Sequence, residues 1–475
     1  MKRTFITAIA AMVLCIPVMA ETVIESEASA AEKKEKTKKE VKYNEKGEII
    51  KTGINFGPLP VVAFDADRGF QYGALLNLYN FDDGSTYPNP KSQWYFEASA
   101  YTKGSYKFVV NYDNKTLIPG VRMSISTGYY GDKALDFYGF NGYQSNFIQS
   151  EQMFKDGQAV YLDDAAGEKL QAKGKYPAGF YRHSRQQLKA KAQFTGEILK
   201  NFYWEAAYNF MWTKAGSFHP EGYAVESDYV PGGTTLYDLY RTWGIISDSE
   251  AKGGISSAIR LGLMYDTRNV ENNPTKGIWA EAHISAAPKF LGTTHPHYKL
   301  SATMRQYLPI AGDKLVFAYR AAYEGYMGNA PWYMLPFYDS MEPKADFDGF
   351  GGYRTVRGLM LNRVQGLHTG FYNAELRWRF VDFKLANQNI AFALSGFTDG
   401  AHVFKGYDLT NRTGAQQELY KKFVNTSRKD GFHGSAGAGL RFVMNQNFIV
   451  AFEYARCFNK QDGNGAFYIN TGFLF

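Results

Sequence analysis

Few side chains in this sequence have the types and spacing that chemistry needs. Ser435, in Gly434-Ser435-Ala436-Gly437-Ala438-Gly439, follows two residues after His433, so it invites a nucleophile reading. A serine nucleophile needs a positioned base and a sharp turn to present it, and no G-x-S-x-G elbow is present. Small residues in a strand more simply leave room for bulky side chains packed on them. The same glycines are not a phosphate loop, because no Lys-Ser/Thr follows them. His295-Pro296-His297 is the one tight histidine pair. Two ligands without a third rarely hold a metal, so no metal and no cofactor is expected. The cysteines are Cys15 and Cys457, too few for a thiolate zinc site. Catalysis is not expected of this chain; a barrel lipid hydrolase is the minor alternative.

The totals point elsewhere. Aromatic residues make up 16% of the chain and glycine is abundant at 47 residues, yet mean hydropathy is −0.37. Beyond the first twenty residues no apolar run is long enough to cross a bilayer as a helix. Abundant Tyr, Phe and Gly without such a run suits a membrane β-barrel, in which each strand needs one apolar face and aromatics mark both interfaces. The net charge of +7 is spread along the chain rather than gathered on one element, which argues against nucleic acid as a partner.

Lys2 and Arg3 precede an apolar stretch from Phe5 to Val18, closed by Met19-Ala20, the layout of a cleaved secretory signal over residues 1–20. Leu14 before Cys15 is bulkier than lipoprotein processing prefers. Residues 21–50, rich in Glu and Lys, are expected to form a charged, disordered periplasmic tail. From residue 51 to 475 the dominant signal is alternation. Tyr372, Ala374, Leu376, Trp378 and Phe380 share one face of a strand, and Asn373, Glu375, Arg377 and Arg379 the other. Opposed Glu and Arg ladders on the polar face suit the interior of a barrel.

About sixteen such segments begin near residues 53, 70, 92, 105, 120, 183, 201, 256, 277, 297, 313, 368, 388, 433, 447 and 466. The long connections, 131–182, 214–255, 326–367 and 402–432, all follow odd-numbered strands. This is what a chain entering from the periplasm requires if long loops lie outside the cell. The expectation is an all-β fold: a transmembrane antiparallel β-barrel of about sixteen strands in a Gram-negative outer membrane, bathed in lipid and lipopolysaccharide. In the last segment Phe467, Ile469, Thr471, Phe473 and Phe475 fall on one face, and a terminal aromatic there resembles the sorting signal of outer-membrane barrels.

Two stretches carry a closer resemblance. Tyr265-Asp266-Thr267-Arg268 with Asn273-Pro274-Thr275-Lys276-Gly277 resembles a strand–turn–strand of the BamA/TamA surface-antigen family, and Gly351-Gly352-Tyr353-Arg354-Thr355-Val356-Arg357-Gly358-Leu359 resembles that family's Val-Arg-Gly loop tip. The resemblance implies that this loop folds into the lumen, where Arg357, flanked by Val356 and Gly358, contacts an inner-wall carboxylate. The matching wall motif is Phe397-Thr398-Asp399-Gly400-Ala401, and strand parity puts Asp399 and Phe397 on the inner face. Leu359 departs from the usual aromatic, and Gly400-Ala401 shifts the expected glycine by one.

The resemblance further implies a role in outer-membrane protein assembly, insertion or transport, with assembly factors or client barrels as partners. The tail is too short for the periplasmic POTRA domains of the family's assembly members, so an accessory role beside a larger complex is expected. A weak seam between first and last strands fits, because Pro58 and Pro60 remove two ladder donors. A passive porin-like channel is the alternative.

Overall fold

The computed structural model describes residues 50–475, apart from 66–67, 88–89, 149–153, 156–157, 160–177, 219–234, 271–272, 329, 340–345, 386–387, 445–447 and 472–473. The expected signal segment and charged tail lie outside the described residues.

Sixteen antiparallel strands close into one barrel. They are β1 (Ile54–Asp65), β2 (Gly69–Asn80), β3 (Ser92–Tyr101), β4 (Ser105–Ile118), β5 (Val121–Asp136), β6 (Arg182–Leu199), β7 (Phe202–Ser217) and β8 (Gly253–Asp266). The second half comprises β9 (Gly277–Ala287), β10 (His297–Ala311), β11 (Leu315–Met327), β12 (His368–Leu385), β13 (Gln388–Lys405), β14 (His433–Met444), β15 (Phe448–Cys457) and β16 (Ala466–Thr471). Every consecutive pair is hydrogen-bonded, and β1 meets β16 to complete the ring. Closure matters because lipid offers no partner to a free backbone N–H or C=O.

Alternation decides which way each strand faces. On β12, Leu376 and Trp378 point to the outside, whereas Glu375 and Arg377, which alternate with them, are buried inside. Cross-strand aromatic pairs reinforce the outer face: Trp94 on β3 lies directly opposite Tyr112 on β4, with ring centroids 4.4 Å apart. At one end the connections are mostly tight, with longer turns over 81–91 and 267–276. At the other end the described parts of the long connections 137–181, 218–252, 328–367 and 406–432 gather over the mouth.

There they form a core of their own. Phe137 and Phe140, Tyr240 and Trp243, Trp332, and Tyr420 and Phe423 come from four different loops and are buried in one cluster. Two short helices supply part of it: α1 (Leu236–Thr242), with a reciprocal Thr235–Asp238 capping box, and α3 (Gln417–Phe423). Between them, α2 (Asp248–Ala251) contributes Ala251. Burial pushes the Tyr237 phenol up to about 12, as expected for a ring enclosed by this dome.

One expectation fails at the end of the chain. Phe475 does not share the outer face of Phe467; it is buried inside, against Tyr307, Val316 and Ala318 of β10 and β11. Parity holds only while the chain remains in the sheet, and β16 ends at Thr471.

A charge placed on the outer wall should be costly. Leu376→Arg, at the middle of β12 and facing outward, is expected to destabilise the barrel by about 2–4 kcal/mol. Equilibrium urea titration in lipid vesicles measures this, and a change below about 0.5 kcal/mol would contradict the outward assignment.

Candidate functional site: a loop tip docked on the inner wall

The connection between β11 and β12 turns down into the lumen. Its tip is shaped by Thr355, whose hydroxyl accepts from the Gly351 N–H at 3.0 Å, and by Gly352, whose N–H donates to the Leu359 carbonyl at 2.9 Å. Val356 and Leu359 are fully buried among Phe350, Phe371, Ala401 and Val403. Leu359 therefore fills an apolar socket where the family pattern carries an aromatic ring.

Arg357 is the centre of the site. Its Nε and Nη2 donate to the two oxygens of Asp399 at 2.8 and 3.0 Å, and its backbone N–H donates to the same carboxylate at 3.0 Å. This is the bidentate fork that a planar guanidinium is built for. Nη1 reaches two further carboxylates, Glu375 at 2.6 Å and Glu453 at 2.8 Å. The ring of Phe397 lies under the guanidinium, 3.4 Å from its carbon to the centroid. Arg377 pairs with Glu375 at 2.7 Å, and Arg441 with Glu453 at 2.7 Å. Three buried cations thus face three buried anions.

The backbone around Arg357 is also held. Ser435 donates its hydroxyl proton to the Arg357 carbonyl at 2.5 Å, Tyr468 on β16 accepts from the Gly358 N–H at 3.0 Å, and the Cys457 thiol lies 2.8 Å from the Gly358 carbonyl. Gly358 has φ +90°, and a Cβ there would approach Ala455 to 3.0 Å. Gly437 in the β14 wall is needed for a different reason. A Cβ there would meet the Phe397 ring at 2.5 Å and the Tyr454 carbonyl at 2.2 Å.

Sequence reasoning singles out Val356, Arg357, Gly358, Phe397 and Asp399, and the structure brings all five together. It does not assign Glu375, Glu453, Tyr468 or Cys457 to the site, although inward parity is available for Glu375. Ser435 attracts notice in the sequence as a nucleophile; here its hydroxyl binds the loop backbone. The Asp266–Gly277 turn lies apart from the tip. Asp266 and Arg268 clamp each other at 2.9 Å, and Gly277 lies opposite Tyr307. Asn273 and Pro274 line a cavity of about 380 Å³ at the short-turn end, with Lys314, Arg377 and Arg379 on other walls. The ring nitrogens of His297 face Ser256 and the His295 carbonyl at 3.2 and 2.8 Å.

A second arginine of the same loop ties the dome. Arg363 donates to the carbonyls of Gln461, Gly142 and Ser145 at 2.8, 2.9 and 3.1 Å. Beside it, His433 lies between two carboxylates, Nδ1 2.7 Å from Asp462 and Nε2 3.0 Å from Asp430, with Tyr143 stacked on its ring at 4.0 Å. Both nitrogens face acceptors, an arrangement that an imidazolium satisfies.

A model of the Omp85 superfamily domain matches residues 139–475, which include the whole loop tip and all of its wall. The chain belongs to the Omp85 superfamily. Its barrel is similar to that of BamA from Haemophilus ducreyi lacking POTRA domains 1–3, with a TM-score of 0.52 and 14% identity over 89% of this chain and 70% of that one. It is equally similar to CdiB from Escherichia coli, with a TM-score of 0.52 and 10% identity over 89% of this chain and 62% of that one. At such identities the likeness is one of fold. This is an outer-membrane Omp85 barrel, and it spans under two thirds of the CdiB chain.

Breaking the Arg357 cluster from one side should be expensive. Asp399→Asn should destabilise the barrel by roughly 3–5 kcal/mol, because it leaves a buried cation short of its main partner. The charge-swapped pair Arg357→Asp with Asp399→Arg should fare no better, since the new carboxylate on the loop tip would then sit beside Glu375 and Glu453. Heat-resistant migration on gels and urea titration read both, and rescue by the swap would contradict the three-carboxylate arrangement.

The dome clamp should respond to acid. Burial raises the Asp430 carboxyl, but His433 and the N–H groups of Tyr143 and Val403 outweigh it and hold the group below its usual value. A depressed folded pKa contributes stability that is present above the unfolded value and lost as pH falls through the folded one. Protease resistance of the 137–181 and 406–432 loops should therefore drop below about pH 4. Asp430→Asn should abolish that step, and an unchanged acid profile in the variant would contradict the assignment.

Proposed function

We propose that this Omp85 barrel takes part in the assembly, insertion or transport of other outer-membrane proteins, as an accessory to a larger complex, by letting an incoming strand add to the edge of β1. The observation that carries the reading is the seam. Among the described residues β1 pairs with β16 only at Phe64–Ile469 and Asp65–Tyr468, whereas its other edge is paired along its whole length from Ile54 to Asp65.

The chemistry of that edge supports the reading further. The Phe81 N–H donates to the Gly53 carbonyl at 2.9 Å, so odd positions of β1 turn their backbone groups towards β2 and even positions towards the seam. Pro58 and Pro60 are both even. Their missing donors weaken the seam and leave the β1–β2 ladder whole, while their carbonyls can still accept. In lipid each unpaired group costs several kcal/mol, so the free edge favours strand addition. Clients on this reading are the exposed edge strands of partly folded barrels, met in a bilayer of outer-membrane lipid and lipopolysaccharide.

A photo-cross-linking residue at Phe56, on the stretch of β1 whose seam edge has no partner among the described residues, tests this directly. With an unfolded client barrel present, adducts should map to the client's terminal strands, and vesicles holding the protein should take up client faster than empty ones. Absence of adducts together with an unchanged insertion rate would overturn the proposal.

A further inference from the structure

At the dome end of β15 the outer wall carries an arginine among residues that face lipid. Arg456, one residue before the end of the strand, is exposed between Tyr454 and Phe458, whereas Glu453 and Ala455 turn inward. A cation on a lipid-facing wall is costly unless it reaches an interface or an anion. The chain itself supplies no anion here. The outward neighbours Ala436 and Ala438 on β14 and Phe467 on β16 are uncharged, and among the described residues Arg456 has no ion pair or side-chain hydrogen bond.

Charge in this part of the barrel is divided by side. From Val424 to Thr471 the acids are Asp430, Glu453 and Asp462, and each is engaged within: His433 lies between the first and third, and Arg357 and Arg441 hold the second. Arg428, Lys429, Arg456 and Lys460 of the same stretch are exposed. This edge therefore complements a negatively charged partner. Towards the dome from Arg456, Tyr372 and Phe432 stack at 6.0 Å above Gly400, and the rings of Phe432 and Phe458 lie over Gly434. Such an aromatic band marks the level of lipid headgroups. Below the band the outward residues of β13 and β14 are small. Gly396 and Thr398 pair with Ala438 and Ala436, and a Cβ at Gly396 would meet nothing within 4 Å. They leave a shallow trough beside Arg456.

We infer that this wall seats one phosphorylated glycolipid of the lipid A kind, with its phosphate on Arg456 and an acyl chain in the trough over Gly396 and Ala436. A guanidinium offers phosphate two parallel N–H donors, and at the edge of hydrocarbon that pair is weakly screened. The cation and the trough are both filled only by a molecule that carries a phosphate and a hydrocarbon chain together. A phosphomonoester carries nearly two charges at neutral pH, about twice that of a phosphodiester headgroup. The exposed Lys429 and Lys460 therefore favour the phosphomonoester of lipid A over a glycerophospholipid. The seat lies on the outer wall of β13 to β15 and does not depend on strand addition at β1.

Native mass spectrometry of the full barrel in detergent, titrated with monophosphorylated lipid A, tests the seat. The parent should retain one lipid, and Arg456→Gln should weaken retention by about tenfold, the loss of one charge-assisted contact. Lys314→Gln, which removes an exposed cation at the short-turn end, should leave retention unchanged. Gly396→Leu fills the trough with Arg456 intact and should also weaken retention, and heat-resistant migration confirms that each variant is folded. Dephosphorylated lipid A should bind the parent no better than it binds Arg456→Gln. Retention unchanged in Arg456→Gln or in Gly396→Leu overturns the inference, as does an equal loss in Lys314→Gln. Phosphatidylglycerol retained as tightly as lipid A, with the same dependence on Arg456, overturns the choice of lipid.

Discussion

A guanidinium with no access to water needs its charge answered at every edge, and Arg357 is such a group. Asp399 takes its fork, Glu375 and Glu453 take the remaining nitrogen, and Phe397 covers a face. Arg377 and Arg441 balance the surplus of carboxylates. A buried pair of this kind contributes little net stability against an apolar core, yet breaking it from one side is expensive. Its consequence is placement: there is one position in the lumen where the loop tip can rest.

Much of the interior follows from that placement. The β14 wall carries Gly437 because Phe397 and the Tyr454 carbonyl occupy the space a side chain would take. Val356 and Leu359 close the socket between β12 and β13. Above it, Arg363 joins the same loop to the dome through three backbone carbonyls. The loop covers the inner wall around Phe371, Asp399, Ala401 and Val403, while among the described residues the seam edge of β1 is a long stretch left without a partner. On the proposed strand-addition reading, an anchored interior beside a weak edge would let one seam open without unfolding the rest.

The barrel is legible in the sequence because each strand announces itself independently. A one-residue error in parity would turn Glu375 or Asp399 towards lipid, so the pattern is strongly constrained. Loop lengths add the sidedness of the ends. The site is legible only in part. Parity can face Asp399 inward, but it cannot say that Glu453, three strands from Glu375, would share the same guanidinium nitrogen. Asp430 and His433 are three residues apart, but Asp462 lies in another loop, and nothing in the sequence foretells that it closes the clamp. Phe475 shows the limit of period-two reasoning: alternation extrapolated past Thr471 chooses the wrong side, because a tertiary socket outcompetes continuation of the strand.

Amide hydrogen exchange over residues 349–365 in the folded barrel tests the central claim most directly. If the tip is docked, the N–H groups of Gly351, Arg357 and Gly358, bound inside the lumen, should be protected to the same degree as amides of β12 and β13. Exchange at the rate of an exposed loop, with the strands still protected, would contradict the account.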